Sequence, residues 1–115
     1  MKRLAVSLVL AVTTISGTAL VNAAPAEARI NAPYLSSGST GSGVWCVQRI
    51  LNRWFGEKVL VEDSQYGPRT ADAVTYFQVV RGIGVDGVVG PQTGNHLLAV
   101  ITDDAYCYRF LPTTY

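Results

Sequence analysis

Eight acidic side chains, two cysteines and one histidine hold whatever acid-base, metal or nucleophilic chemistry this chain has. His96 stands alone, whereas zinc peptidase chemistry needs several His and carboxylate ligands plus a base, so no metal site is expected. A nucleophile built from Cys46 or Cys107 with His96 is a poor fit, because the cysteines are better explained as partners of each other. Glu57, Glu62, Asp63, Asp72, Asp86 and the Asp103, Asp104 pair include enough carboxylates for glycoside cleavage in principle. Asp63 and Asp86 already have turn roles, however, and a short chain of helix and loop leaves little room for a substrate cleft. The same turns fail the calcium-loop spacing, since the later alternating positions are Gln65 and Gly67, or Val88 and Gly90. The expectation is a noncatalytic protein without a cofactor.

Those two aspartates belong to an internal repeat. Asp63-Ser64-Gln65-Tyr66-Gly67-Pro68-Arg69-Thr70 and Asp86-Gly87-Val88-Val89-Gly90-Pro91-Gln92-Thr93 share Asp, Gly, Pro and Thr at a constant offset. Each unit reads as a turn feeding a helix. Asp accepts turn amides, Gly allows a close approach, Pro sets the first helical turn, and Thr faces inward one turn along. The helix after Pro68 carries Ala73, Val74, Phe77 and Val80 at helical spacing and stops at Gly82; the helix after Pro91 carries Leu97, Leu98 and Ile101 and ends at Asp103-Asp104. A first helix is marked by Val44, Val47, Ile50, Leu51, Trp54 and Phe55 on one stripe, with Gln48, Arg49, Asn52 and Arg53 mostly elsewhere and Gly56 as its stop. Residues 44–101 therefore predict a small all-α domain of three helices joined by short loops.

What precedes and follows that domain has a different composition. Met1-Lys2-Arg3, the apolar run Leu4 to Val12 and the small residues of 21–28 read as a secretory signal peptide, with cleavage expected after Ala28 and Ala23 as the alternative. Thr13, Thr14, Ser16, Gly17 and Thr18 interrupt the apolar run before it reaches the ~20 residues of a membrane span, so no stable insertion is expected. Removing residues 1–28 takes Lys2 and Arg3 from nine basic residues and Glu27 from eight acidic ones, leaving a formal net charge of zero. That balance argues against a nucleic-acid binder and a polybasic membrane-surface protein. Residues 29–43 are rich in Pro, Ser and Gly and read as a flexible lead-in. In an exported chain, Cys46 and Cys107 are expected to form a disulfide, worth about 4 kcal/mol on the chain-entropy argument; a buried thiol pair or a metal site is the alternative. Residues 102–115 would then be a tethered tail.

The ordered blocks resemble the peptidoglycan-binding-like domain family, small three-helix modules of bacterial cell-wall hydrolases. Val44, Val47, Gln48, Leu51 and Asn52 match its first block; Asp63, Gly67, Thr70, Ala73, Val74, Phe77 and Gln78 match the second; Asp86, Gly87, Gly90, Thr93 and Leu97 match the third. Ser64 stands where the family usually has Gly, Gly94 where it often has Trp, and the Cys107 tail lies outside the pattern. The resemblance implies noncovalent attachment to peptidoglycan, and with the signal peptide the expectation is a secreted module, taken to be a monomer. The alternative is a secreted protein-interaction or inhibitory module on the same fold. That architecture also resembles matrix metalloprotease propeptides, but the Pro-Arg-Cys stretch of their cysteine switch is absent here.

Most matching residues read as core, and Gln48 and Gln78 as partners of loop backbone. The candidate ligand residues are those the pattern leaves free, together with Asp86 of the third block. Tyr66 and Arg69 flank a helix start whose amides favour anions such as a stem-peptide carboxylate. Tyr76 offers a sugar-stacking face, and Asp86 and Asn95 offer partners for sugar hydroxyls or peptide amides.

Overall fold

The computed structural model describes residues 32–103 and 105–114. The expected signal peptide, residues 29–31 of the lead-in, and Asp104 lie outside the described residues. Among the described residues four helices follow in order: α1 Ser42–Phe55, α2 Pro68–Arg81, α3 Pro91–Leu98 and the one-turn α4 Ala105–Tyr108. The all-α reading holds, with α4 added by the tail. α1 is the hub, packing against each of the other three.

Spacing explains the packing of α1. Val44, Val47, Ile50 and Leu51 recur on one side and are fully buried, and they meet Val74 and Phe77 of α2 and Leu97 and Leu98 of α3 in one core. α1 and α2 end at the left-handed glycines Gly56 and Gly82, whose N–H groups donate back to the last helical carbonyls. α2 and α3 start alike, with an extended Gly67 or Gly90 followed by Pro68 or Pro91.

Several elements differ from the sequence reading for identifiable reasons. Gln48 and Asn52 are buried, because both reach from α1 into the loop that precedes α2. Val80 is 53% exposed, since α2 turns Thr70, Ala73, Val74, Phe77 and Gln78 to the core and its last turn runs past it. α3 ends at Leu98 and not at Asp103. The amides of Val100 and Ile101 donate to the carbonyls of Leu97 and Leu98, three residues back, which tightens the chain and leaves Ile101 in the core outside the helix.

The described part of the Ser/Gly-rich lead-in is stitched to the domain. Leu35 and Val89 exchange two backbone hydrogen bonds of 3.1 and 2.8 Å, and the amides of Gly41 and Tyr66 donate to the carbonyls of Ser64 and Ser39. Small polar residues here make a turn, closed by the Ser39 amide on the Ser36 carbonyl, while Leu35 is buried. Composition read as a flexible lead-in and showed neither the turn nor the anchor.

The tail is equally built in. A disulfide joins Cys46 to Cys107 with Cα atoms 5.7 Å apart, and Leu111, Pro112 and Thr113 are buried. Two glycines make room for it. A Cβ on Gly43 would stand 3.0 Å from the Phe110 carbonyl oxygen, and one on Gly94 would overlap the carbonyl oxygen of Pro112. The tail backbone thus lies against the α3 position where the resembled family often carries Trp.

Candidate functional site

Two glutamines organise the repeat. Gln48 Nε2 donates to Asp63 Oδ1, the Gln65 carbonyl and Thr70 Oγ1, while its Oε1 accepts from the Ser64 amide. Gln78 repeats this arrangement on Asp86 Oδ1, the Val88 carbonyl and Thr93 Oγ1, and accepts from the amides of Asp86 and Gly87. Each carboxylate closes its turn by accepting the amide two residues on, Gln65 for Asp63 and Val88 for Asp86. The Gln65 amide, and then Gln48, hold the Asp63 carboxyl below the ordinary aspartate range. At the turn apex Ser64 adopts φ 64°, matching φ 70° at Gly87, so serine takes the conformation for which glycine is the usual residue.

Tyr66 belongs to this scaffold. It is only 3% exposed, and its hydroxyl donates to the Gly87 carbonyl at 2.6 Å. Burial, and then the nearby Asp86 carboxylate, push its phenol well above the ordinary tyrosine range. The ring expected to face a ligand is instead a core strut linking the two turn units.

Beside it opens a cleft of about 290 Å³ whose lining includes Leu60, Val61, Asp63, Gln65, Pro68 and Arg69. Its outer wall depends on Asn52, whose Oδ1 accepts the amides of Val59 and Leu60 and whose Nδ2 donates to the Leu60 carbonyl and to Glu62. Its other wall is the start of α2, where Gly67 provides no capping side chain and the first turn holds no acidic residue. The positive end of the helix and the Arg69 guanidinium therefore act together. Leu60, Val61 and Pro68 add apolar surface, and Gln65 and Asp63 add acceptors. Such a cleft suits a small ligand carrying a carboxylate and amide groups.

The remaining candidates sit elsewhere. Asp86 is committed to Gln78 and Val88. Asn95 bonds both the hydroxyl and the amide of Thr114, under the tail. Tyr76 is 56% exposed on α2, its ring stacked on Phe55 at 5.9 Å. Arg69 and Tyr76 share the outer side of α2, whereas Asp86 and Asn95 do not join them. The cleft residues Leu60, Val61, Gln65 and Pro68 were not proposed from sequence as ligand residues; the signal available was Asn52, a matching amide of the first block that the structure shows shaping the loop. Among the described residues, no three His, Cys, Asp or Glu side chains gather as a metal site, and no helix is long and apolar enough to cross a membrane.

A helical scaffold with paired turn units and a cleft at a helix start defines a small recognition module. The chain belongs to the "Putative peptidoglycan binding domain" family, whose model matches residues 40–97. Over 77 residues it is 38% identical to a zinc D-Ala-D-Ala carboxypeptidase of Streptomyces albus G, a match covering 66% of this chain and 30% of that protein. The chain therefore spans less than a third of that relative. Among solved structures, a fused Zn-dependent amidase/peptidase/peptidoglycan-binding domain-containing protein from Clostridium acetobutylicum aligns with a TM-score of 0.54 at 36% identity, covering 58% of this chain and 29% of that one. The SleB N-terminal domain aligns with a TM-score of 0.55 at 27% identity, covering 61% of this chain and 94% of that one. The carboxypeptidase and the fused amidase/peptidase are each matched over less than a third of their own length, so in both the matching region is one part of a longer chain.

Proposed function

We propose that this chain is a secreted, noncatalytic, monomeric module that holds its protein on bacterial peptidoglycan, gripping a stem peptide in the cleft at the start of α2. The cleft itself carries this reading: Arg69 and an uncapped helix start face acceptors and apolar surface across a space of about 290 Å³. Family membership supports the wall as ligand. The leader-like residues 1–28 and the disulfide support a place outside the cytoplasm.

Cosedimentation with insoluble, protein-free peptidoglycan tests the proposal. The wild-type chain is expected in the pellet, and Arg69→Ala in the supernatant with unchanged thermal unfolding. The charge balance of residues 29–115 means retention should survive moderate salt better than a polybasic contact would. Wild-type protein left in the supernatant would overturn wall binding.

A further inference from the structure

α2 is apolar on two sides. One side enters the core; the other leaves Tyr76, Val79 and Val80 each more than half exposed. Tyr76 does not stand alone there. Phe55 lies nearly parallel to it, at 5.9 Å and 18°, and Trp54 flanks it at 6.1 Å and 57°. Trp54 in turn meets the buried Phe77 edge-on at 4.9 Å, which roots the cluster in the core. The Tyr76 ring is thus backed by two aromatic rings and still 56% exposed, an oriented flat surface with little entropy left to lose on binding.

Its neighbours along α2 are one acceptor and one apolar side chain. Asp72 is exposed one turn before Tyr76 and Val80 one turn after, so the ring lies between a hydrogen-bond acceptor and an apolar contact. We infer that Tyr76, backed by Phe55 and Trp54, is a subsite for an N-acetylated sugar ring, distinct from the Arg69 cleft. The apolar C–H face of the sugar rests on Tyr76, Asp72 accepts from a hydroxyl or the acetamido N–H, and Val80 receives the acetyl methyl. A stable protein partner needs a much broader surface than one ring and two valines. Arg69 lies seven residues before Tyr76 on the same side of α2, about 10 Å along the axis. A sugar on Tyr76 therefore places a peptide hanging from it within reach of the Arg69 cleft.

This inference rests on the wall-binding reading, and the test separates the two. Chitotetraose, a peptide-free N-acetylglucosamine oligomer, is titrated into the full mature chain while tryptophan emission is followed. The wild-type chain is expected to bind; Tyr76→Ala is expected to bind about tenfold or more weakly, while Tyr76→Phe, which keeps the ring, binds nearly as the wild type does. Thermal unfolding confirms that the exposed substitution leaves the fold intact. Equal binding by wild type and Tyr76→Ala would overturn the subsite. So would failure of chitotetraose to bind a wild-type chain that still sediments with peptidoglycan, which would leave the wall reading standing. A wild-type chain that neither sediments nor binds the oligomer would remove both. Self-association that disappears in Tyr76→Ala, with no response to the oligomer, would reassign the platform to contact between copies and overturn the sugar.

Discussion

The hydroxyl of Tyr66 donates to the carbonyl oxygen of Gly87 at 2.6 Å, so the residue that leads into α2 is fastened to the apex of the turn that leads into α3. The two turn units are consequently coupled to one another as well as through α1. The matching residue of the second unit, Val89, is also buried but is held through its backbone, by Leu35.

Removing that hydroxyl should cost stability and change the alkaline limit. Tyr66→Phe is expected to lose about 1 kcal/mol in denaturant unfolding, with the Gly87 carbonyl left a partner short. Because the folded phenol ionises above the ordinary tyrosine value, the unfolded chain ionises first as pH rises. The contribution is full below about pH 10 and is lost on the way to the folded value. Tyr66→Phe should flatten this alkaline fall, as measured by melting temperature against pH.

Asp63 sets the opposite dependence. Its carboxyl is held below the ordinary range by the Gln65 amide and Gln48, so its contribution is present above that range and disappears as pH falls through the folded value. Asp63→Asn retains an acceptor and removes the charge. Its melting temperature should vary less with pH below about 4 than that of the wild type.

Ser64 and Gly87 share a left-handed backbone and respond differently to substitution. Ser64→Gly should be neutral or stabilising by up to about 1 kcal/mol, and Gly87→Ala destabilising by about 1–2 kcal/mol, with Thr75 Oγ1 only 3.2 Å from the added methyl. Gly67 is extended, and its Cβ position has no neighbour within 4 Å, so Gly67→Ala should scarcely move the melting temperature. Equilibrium unfolding of the three variants checks the contrast.

The tail should behave as part of the fold. Gly94→Ala overlaps the Pro112 carbonyl and is expected to cost about 1–3 kcal/mol and to expose residues 109–114 to limited proteolysis. Replacing both Cys46 and Cys107 with Ser should cost about 4 kcal/mol on the chain-entropy argument and loosen the same segment. Intact-mass analysis of the digests reads both effects.

Much of this scaffold was legible in the residues. The repeated Asp, Gly, Pro and Thr mark both turns and helix starts, and Gln48 and Gln78 bond the loops as their positions suggested. Periodicity located the core of α1 but misplaced Gln48 and Asn52, because a buried amide satisfied by loop backbone looks polar in sequence and behaves as core. The candidate site was less legible. Tyr66 and Arg69 are separated by only three positions, yet one is sealed under the second turn and the other lines a cleft. That difference arises from contacts with residues 20 or so positions away, which local spacing does not encode. The polar groups of Asn95 are likewise taken up by Thr114, brought to it by the disulfide-tethered tail.

Wall recognition through the outer side of α2 is tested most directly by amide chemical-shift mapping of the mature chain with soluble muropeptides, fragments that hold both sugar and stem peptide. The expected result is saturable shifts at Gln65, Arg69 and Thr70 around the cleft and at Asp72 and Tyr76 along the same side of α2, with Asn95 and residues 110–114 unchanged. No saturable shift at any amide, or shifts confined to α3 and the tail, would contradict it.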